Sequence, residues 1–583
     1  MSQPDRLAVL IIGGYGTFGR RLAALLADDA RLTLILAGRS QDKARAVCGE
    51  LKVEGGAEFS AERFDRDGDV AGQLSRIGPA LVIDAAGPYQ LYGGEPYRVI
   101  EASLDIRAHY LDLADATEFV LGAEAFQEKA LAADRFVLSG ASTFAALSGA
   151  VMRALAERMD EVTKVEGGLA LSPKAPLGFS IIQGVASYAG RPVGGKSGVL
   201  GHALTDARTR IVCVPGTIPL PPVTFSLIDV PDLEILPVRW PGLKSVWFGV
   251  GTRPRVFHAC MITLAWLVRL RLLPGLGGLA RVMHFVTRTF NWGDHRSGMF
   301  VRADGKRGGQ TVSRTWTLIA DGDVGPNIPV MAAAVTVLRV AHRRPPAAGA
   351  RCADRDFELA DYQNWFDRFA IRTAIVEEPK PSGLPLYRRL LGERYDALDP
   401  PLRDAHDFTG RQDFTGRANV SRGSRLLSRL IARIIGFPSA GRDIALKVCL
   451  SSDGQRELWQ RNFDGQRFES EQFAGHGRNE GLLMERFGLM TFGLGLIAED
   501  DRLRLVGRNG SILGLPLPSF LLPDIEAHED APDGRFNFHV RISVPLAGLI
   551  VAYEGWLEPI RRAAVEARAE AGVVPSAMRS GAA

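Results

Sequence analysis

An apolar run, Leu7 to Ile12, opens directly onto Gly13-Gly14-Tyr15-Gly16-Thr17-Phe18-Gly19 and then onto a helical pattern from Arg20 to Leu26. The run is continuous, as in a parallel strand covered on both faces. Gly14, Gly16 and Gly19 stand in the G-x-G-x-x-G spacing, between a strand and a helix, where that motif has physical meaning. Gly14 permits the tight turn, Gly16 lets the backbone approach a pyrophosphate, and Gly19 lets helix and strand pack closely. The free N–H groups and positive dipole end of the helix then face the phosphates. Tyr15, Thr17 and Phe18 complete the predicted cradle.

The strand–helix alternation continues. Leu32 to Ala37 is a second strand and Glu58 to Phe64 a third. Ala80 to Ala85 follows, then Ala108 to Leu111, a helix Glu118 to Ala130, and a strand Arg135 to Ser139. Such alternation predicts an α/β, doubly wound parallel sheet of the Rossmann type over residues 1–150. The second strand ends at Gly38-Arg39-Ser40, where domains that prefer NAD usually place an acid for the ribose. A guanidinium grips phosphate bidentately, so Arg39 and Ser40 favour NADP, with NAD the lesser expectation. Asp65 would reach the adenine, and Ala86-Gly87-Pro88, at the carboxyl edge of the fourth strand, would lie on the nicotinamide side.

Tyr89, Tyr110 and Asp112 fall near strand ends facing that edge and are the candidate catalytic residues. A tyrosine would donate a proton, and Asp112 would tune it or orient a substrate amine. Each reads first as a structural hydrogen bonder at a strand end. Ser142 and Thr143 read first as a helix N-cap. No HExxH, GxSxG, P-loop or zinc spacing occurs, and no metal is expected.

From Val162 short apolar or alternating runs (Lys164 to Leu171, Ile211 to Val214, Gln310 to Ala320) predict an α+β substrate or dimerisation domain over 151–375, with an antiparallel sheet. Between Glu234 and Asp294 there is no acid, while eight lysines and arginines occur, among them Arg253, Arg255, Arg269, Arg271, Arg281 and Arg288. The apolar run Ala259 to Val268 within it, bearing Trp266, is half the length needed to span a bilayer. It reads as an interfacial helix on anionic lipid, as a buried helix pair with arginines on its rim, or as a lid over an acyl substrate.

In the third segment, 380–560, Leu446 to Leu450, Glu457 to Phe463 and Phe468 to Phe473 alternate, with Asp453-Gly454 and Asp464-Gly465 as hairpin turns. Beside the amphipathic helix Leu426 to Ile435 they predict a C-terminal α+β domain, an open or barrel-like antiparallel sheet able to hold an apolar ligand. The near-repeat of Asp407 to Gln412 in Asp413 to Arg417 reads as a loop duplication, and 561–583 as a helical tail fraying into disorder. Five dispersed cysteines suit reduced, buried filler in a cytoplasm, and the start lacks the basic region of a signal peptide. Net charge is only +4, which argues against nucleic acid as a partner. A small-molecule substrate, a homodimer and a peripheral seat on the inner membrane face are the expected partners and place.

Taken together, Ile11 to Gly16, Ala37 to Ser40, Ala85 to Tyr89, His109 to Leu113 and, later, Gly325-Pro326-Asn327-Ile328-Pro329 resemble the saccharopine dehydrogenase family in its saccharopine reductase-like branch. The resemblance spans residues 5–350 and implies a dinucleotide-dependent oxidoreductase acting on a carbonyl, imine or activated C=C. It does not carry the substrate over, because Ala114-Asp115 stands where family members often have glycine and glutamate. Leu384 to Gly392, Gly436-Phe437-Pro438, Glu485 to Gly488 and Gly514 to Pro518 resemble an uncharacterised bacterial domain often fused behind such reductases. The competing expectations are a non-catalytic NADP-binding scaffold with a lipid-binding C-terminal domain, and a peripheral membrane protein whose dinucleotide domain is vestigial.

Overall fold

The computed structural model describes residues 6–560 except 176–177, 195–199, 290–292, 323, 379–383, 409, 453–455, 500 and 513. The tail and the Asp453-Gly454 turn thus lie outside the described residues. The chain divides into two compact units, Met1–Val214 with Leu220–Pro379, and Pro215–Pro219 with Lys380–Ala583.

The first unit begins with strands β1 (Leu7–Ile12), β2 (Leu32–Gly38), β3 (Glu58–Arg63), β4 (Leu81–Asp84), β5 (His109–Asp112) and β6 (Phe136–Ser139). They pair in parallel in the order β6-β5-β4-β1-β2-β3, with a seventh strand, Gly349–Cys352, joined to β6. That is the doubly wound Rossmann order, with its switch point between β1 and β4. Val9, Leu10, Ile11, Leu34 and Leu36 are fully buried, which is why β1 and β2 show no polar alternation. The expected helix Glu118 to Ala130 is two helices, Thr117–Gly122 and Gln127–Ala133, separated by a 3₁₀ turn.

The second sheet of this unit runs Ala207–Arg210, Val223–Leu227, Ser245–Gly251, Glu161–Ala170, Ser297–Arg307, Gln310–Ala320, Arg372–Glu378. It is antiparallel except that Ser245–Gly251 pairs in parallel with Glu161–Ala170. Ile211 to Val214 is not a strand: the ladder ends at Arg210, and the buried run serves as an apolar link into the core.

The second unit contains a closed meander. Gly410–Arg422, Gly441–Ser452, Arg456–Phe463, Gln466–Ala474, Leu483–Phe487, Met490–Ala498, Arg502–Ile512, Asp524–Asp530, Phe536–Val544 and Gly548–Pro559 each pair antiparallel with the next, and the last pairs with the first. The ten strands form a barrel, and Leu515–Pro516 hangs on Arg502–Ile512. Alternation sends Phe414, Ala418, Leu446, Val448, Trp459 and Phe463 inward. The second copy of the near-repeat, Asp413 to Arg417, is therefore strand and not loop: Phe414 is core, and its polar neighbours face out. At Asp464-Gly465 both residues have positive φ, as a two-residue I′ turn requires. The helix Leu426–Ile435 forms as expected and packs on the last strand. The interior also holds polar groups: Arg461 donates to Ser470 at 2.9 Å, Ser470 to Glu485 at 2.7 Å, and Tyr387 to Gln472 at 3.0 Å.

Candidate functional site

The glycine turn sits at the switch point. Gly13 and Gly14 donate to the Ala37 carbonyl at 2.8 and 3.0 Å, tying the turn to β2. A Cβ on Gly19 would lie 2.3 Å from the Gly13 oxygen, so no other residue lets the helix Thr17–Leu26 start this close to the turn. Gly16 is the N-cap of that helix and supplies no side-chain acceptor. The first N–H groups of the helix therefore face outward with their hydrogens available to an anion. A Cβ on Gly16 would be only 3.0 Å from the Gly13 oxygen.

Beyond β2 the Tyr15 ring covers Gly38, where any Cβ would meet it at 2.5 Å. The Tyr15 hydroxyl accepts from Ser40 N at 3.2 Å. The Ser40 hydroxyl caps the helix Gln41–Leu51 through Lys43 N. Arg39 is exposed, and among the described residues no carboxylate is bound to it. Asp65, just past β3, accepts from Asp67 N at 3.1 Å and is half-buried.

Ala86, Gly87 and Pro88 are half-exposed at the end of β4. Two acids lie directly beneath, Asp84 and Asp112, opposite one another on β4 and β5 and both fully buried. Asp84 accepts from Ala86 N at 3.1 Å and Tyr92 OH at 3.2 Å, with Arg66 Nε at 3.3 Å. Arg66 in turn lies 3.2 Å from the Tyr92 ring centroid. Burial raises the Asp84 carboxyl above its ordinary range, and Arg66 pulls it part of the way back. Asp112 Oδ1 accepts from Gly140 N at 2.8 Å and Ala114 N at 3.0 Å. Burial outweighs these bonds and pushes Asp112 up to about 7.

Tyr89 OH donates to the Asp84 carbonyl at 2.6 Å and accepts from Leu113 N at 3.2 Å, which staples the ends of β4 and β5 together. Tyr110 is fully buried in the core with Leu10, Val82 and Val99. Its hydroxyl has no hydrogen-bond partner among the described residues. Ser142 and Thr143 do not cap a helix. The helix after β6 is Ala146–Ala156, its N-cap is Ala145 at φ 66, and Ala145 N donates to Asp232 at 2.9 Å.

The second lobe of the same unit closes over this edge. The helix Phe179–Tyr188 packs on the turn Tyr89–Leu91, and Gly178 and Gly184 approach Thr17 and Pro88 so closely that added Cβ atoms would meet them at 2.7 and 3.4 Å. Gln90 donates to Asp115 at 3.1 Å, and Thr117 to Asp229 at 2.7 Å. Burial, then Asp115 and Asp229, push the Tyr188 phenol far above its ordinary value, so it keeps its proton. Asp84, Arg66, Tyr92, Tyr188 and Asp229 were not legible as site residues in the sequence. Tyr188 and Asp229 come from another part of the chain, and no motif marks them.

Residues 398–557 match a family described only as a domain of unknown function, DUF4166. No curated protein matches the sequence. Saccharopine dehydrogenase (L-Glu forming) from Saccharomyces cerevisiae is a structural neighbour at 12% identity and TM-score 0.43, over 63% of this chain and 99% of that one. Biliverdin reductase from Synechocystis, solved with biliverdin and NADP+, is another at 15% identity and TM-score 0.26, over 59% and 93%. The ileal bile acid-binding protein of zebrafish, with cholic acid, aligns over 26% of this chain and 98% of its own at 12% identity and TM-score 0.16.

Proposed function

We propose that the first unit is an NADP-dependent oxidoreductase acting on an apolar, lipid-like carbonyl, imine or activated C=C compound. The observation that carries this reading is the glycine turn at the switch point, bare of side chains and backed by helix N–H groups, with an exposed Arg39 at the end of β2. The residues fit the cofactor: Gly14 to Gly19 would hold the pyrophosphate, Arg39 the 2′-phosphate, Asp65 the adenine side and Ala86 to Pro88 the nicotinamide side. NADPH supplies a hydride when bound. Tyr89 joins β4 to β5 beneath this edge, and Asp112 holds the β5 end through two backbone N–H groups. Both are positioning residues in this reading. Tyr188, protonated and near Asp115 and Asp229, would donate a hydrogen bond to a reducible oxygen or nitrogen in this reading.

Arg39→Ala is expected to weaken NADPH by about 1.5–3 kcal/mol, the range for a hydrogen bond to a charged group, and to leave NADH almost unchanged. Fluorescence titration of both coenzymes checks this, and equal affinities in the wild-type protein would refute the NADP preference.

A lipid-like substrate is supported by the acid-free segment. Its helix Arg255–Arg269 buries only His258 and Ala265. Leu270, Leu272, Val282 and Phe285 are 59, 68, 57 and 66% exposed, so the segment is not a buried helix pair. No helix among the described residues is long and apolar enough to cross a membrane. The helix Ala280–Thr289 packs on Phe179–Tyr188, with Phe179 against His284. Arg253 is not part of that surface: its side chain is 9% exposed and it binds Asp294 and the Arg296 carbonyl. Cys260, by contrast, is exposed and not core filler.

Neutralising Arg269, Arg271, Arg281 and Arg288 together is expected to weaken binding to anionic vesicles, by about 1 kcal/mol for each charge near the surface. The loss should shrink as salt rises, whereas Leu272→Ser with Phe285→Ser should remove a salt-insensitive part. Vesicle sedimentation decides it: wild-type protein left in the supernatant at low salt would end the membrane reading.

A second reading is favoured by one observation: Tyr89, Tyr110 and Asp112 all hold their polar atoms inside the protein. The unit would then bind NADP without turnover. NADPH binding with no oxidation across a panel of carbonyl and enoyl compounds would establish it.

A further inference from the structure

We infer that the outer wall of the barrel carries a divalent transition-metal site built by His528, His539 and Asp530. His528 and His539 face each other directly across the strands Asp524–Asp530 and Phe536–Val544. Asp530 lies two residues beyond His528 and so on the same face of its strand. The inward positions between them are taken by Glu529 and Phe538, both buried, which leaves the two imidazoles and the carboxylate on the outside.

The two rings are stacked, with centroids 4.3 Å apart and planes within 13°. One ligand atom from each of His528, Asp530 and His539 lies within 4.8 Å of the other two, and His528 Nε2 is 3.8 Å from Asp530 Oδ2. Tetrahedral ligands at zinc stand about 3.4 Å apart when each bond is about 2.1 Å, so small side-chain rotations close the site. Glu554, opposite His539 on the next strand, puts Oε2 3.5 Å from His539 Nδ1. That is the place of a carboxylate that orients a ligating imidazole from behind.

The surroundings suit a cation with an open coordination position. A recess of about 350 Å³ is lined by Asn419, Ser421, Glu526, Arg541 and the two histidines. Two lining acids, Glu526 and Glu554, outweigh the single lining arginine, Arg541. The nearby Arg502 and Arg504 are engaged by Asp501 and Glu499 at 2.9 and 2.7 Å. Two imidazoles and one carboxylate suit zinc or a neighbouring borderline cation better than magnesium or calcium, which take oxygen ligands. Three protein ligands leave the fourth position to water or a small anion in the recess.

The test uses the full chain freed of metal with a chelator, and zinc alone as the probe. Wild-type protein is expected to take one zinc per chain in competition with a chromophoric chelator and to melt at a higher temperature with zinc than without. His528→Gln, His539→Gln and Asp530→Asn should lose both effects while their metal-free melting temperatures match the wild type, since all three side chains are on the outer wall. Cys260→Ser, which removes the exposed thiol, should change neither. Absence of zinc competition in the wild type would overturn the site. So would zinc retained by the two histidine variants, or zinc lost in Cys260→Ser.

Discussion

Gly16→Val is expected to abolish dinucleotide binding while leaving the first unit folded. The substituted residue stands at the N-cap of the helix Thr17–Leu26, where φ −76 and ψ 176 are open to any residue. The nearest obstacle to its Cβ is one carbonyl at 3.0 Å, which a shift of a few tenths of an ångström relieves. The branched methyl groups, however, fill the space in which helix N–H groups would meet a pyrophosphate. Loss of two charge-assisted hydrogen bonds, about 1.5–3 kcal/mol each, lowers affinity by about a hundredfold or more. Calorimetric titration with NADPH, alongside circular dichroism, measures both halves. Unchanged affinity in the variant would move the phosphate cradle elsewhere.

Asp112→Asn should change how stability depends on pH. The folded carboxyl sits at about 7, raised by burial from an ordinary 3.8. Below pH 3.8 it is protonated in both folded and unfolded chains and contributes no pH dependence. Between there and pH 7 the unfolded chain ionises and the folded one does not, so stability falls as pH rises. The fall is complete above about pH 7 and amounts to the order of 4 kcal/mol at most. The amide cannot ionise, and its oxygen still accepts from Gly140 and Ala114. The variant should therefore equal or trail the wild type at pH 4 and exceed it at pH 8. Urea denaturation at the two values gives the difference, and parallel pH curves would mean that Asp112 ionises freely in the folded chain.

The Rossmann half was legible because its signals are local. β1 is a continuous apolar run, and the glycine spacing follows it at once. The bounds of β1 and of Gln310–Ala320 come directly from pattern. Ile211 to Val214 misled because a buried link and a buried strand have the same apolar composition. The near-repeat at Asp413 misled in the opposite way: glycine, aspartate and threonine suggest a loop, but the ladder partners Thr415↔Lys447 and Phe414↔Pro559 hold it as strand. The barrel was visible only as separate hairpins, because closure depends on residues near 414 meeting residues near 559. The same limit hid Tyr188 and Asp229, which come toward this edge of the first sheet through tertiary packing and carry no spacing of their own. Arg253 was read as one of a row of equivalent charges, and only its pairing with Asp294 sets it apart.

Gly349–Cys352 lies beside β6, although about two hundred residues of chain separate them. Most of the second lobe, from Glu161–Ala170 to Gln310–Ala320, is therefore an insertion between two adjacent strands of the first sheet, and its last strand, Arg372–Glu378, follows the second of them. A lobe held by one linker could swivel freely, whereas this one is held to the first sheet by several crossings of the chain. The arrangement also delays maturation: on the ribosome the first sheet stays one strand short until residue 352 has been made, and the second sheet until its last strand, Arg372–Glu378, follows.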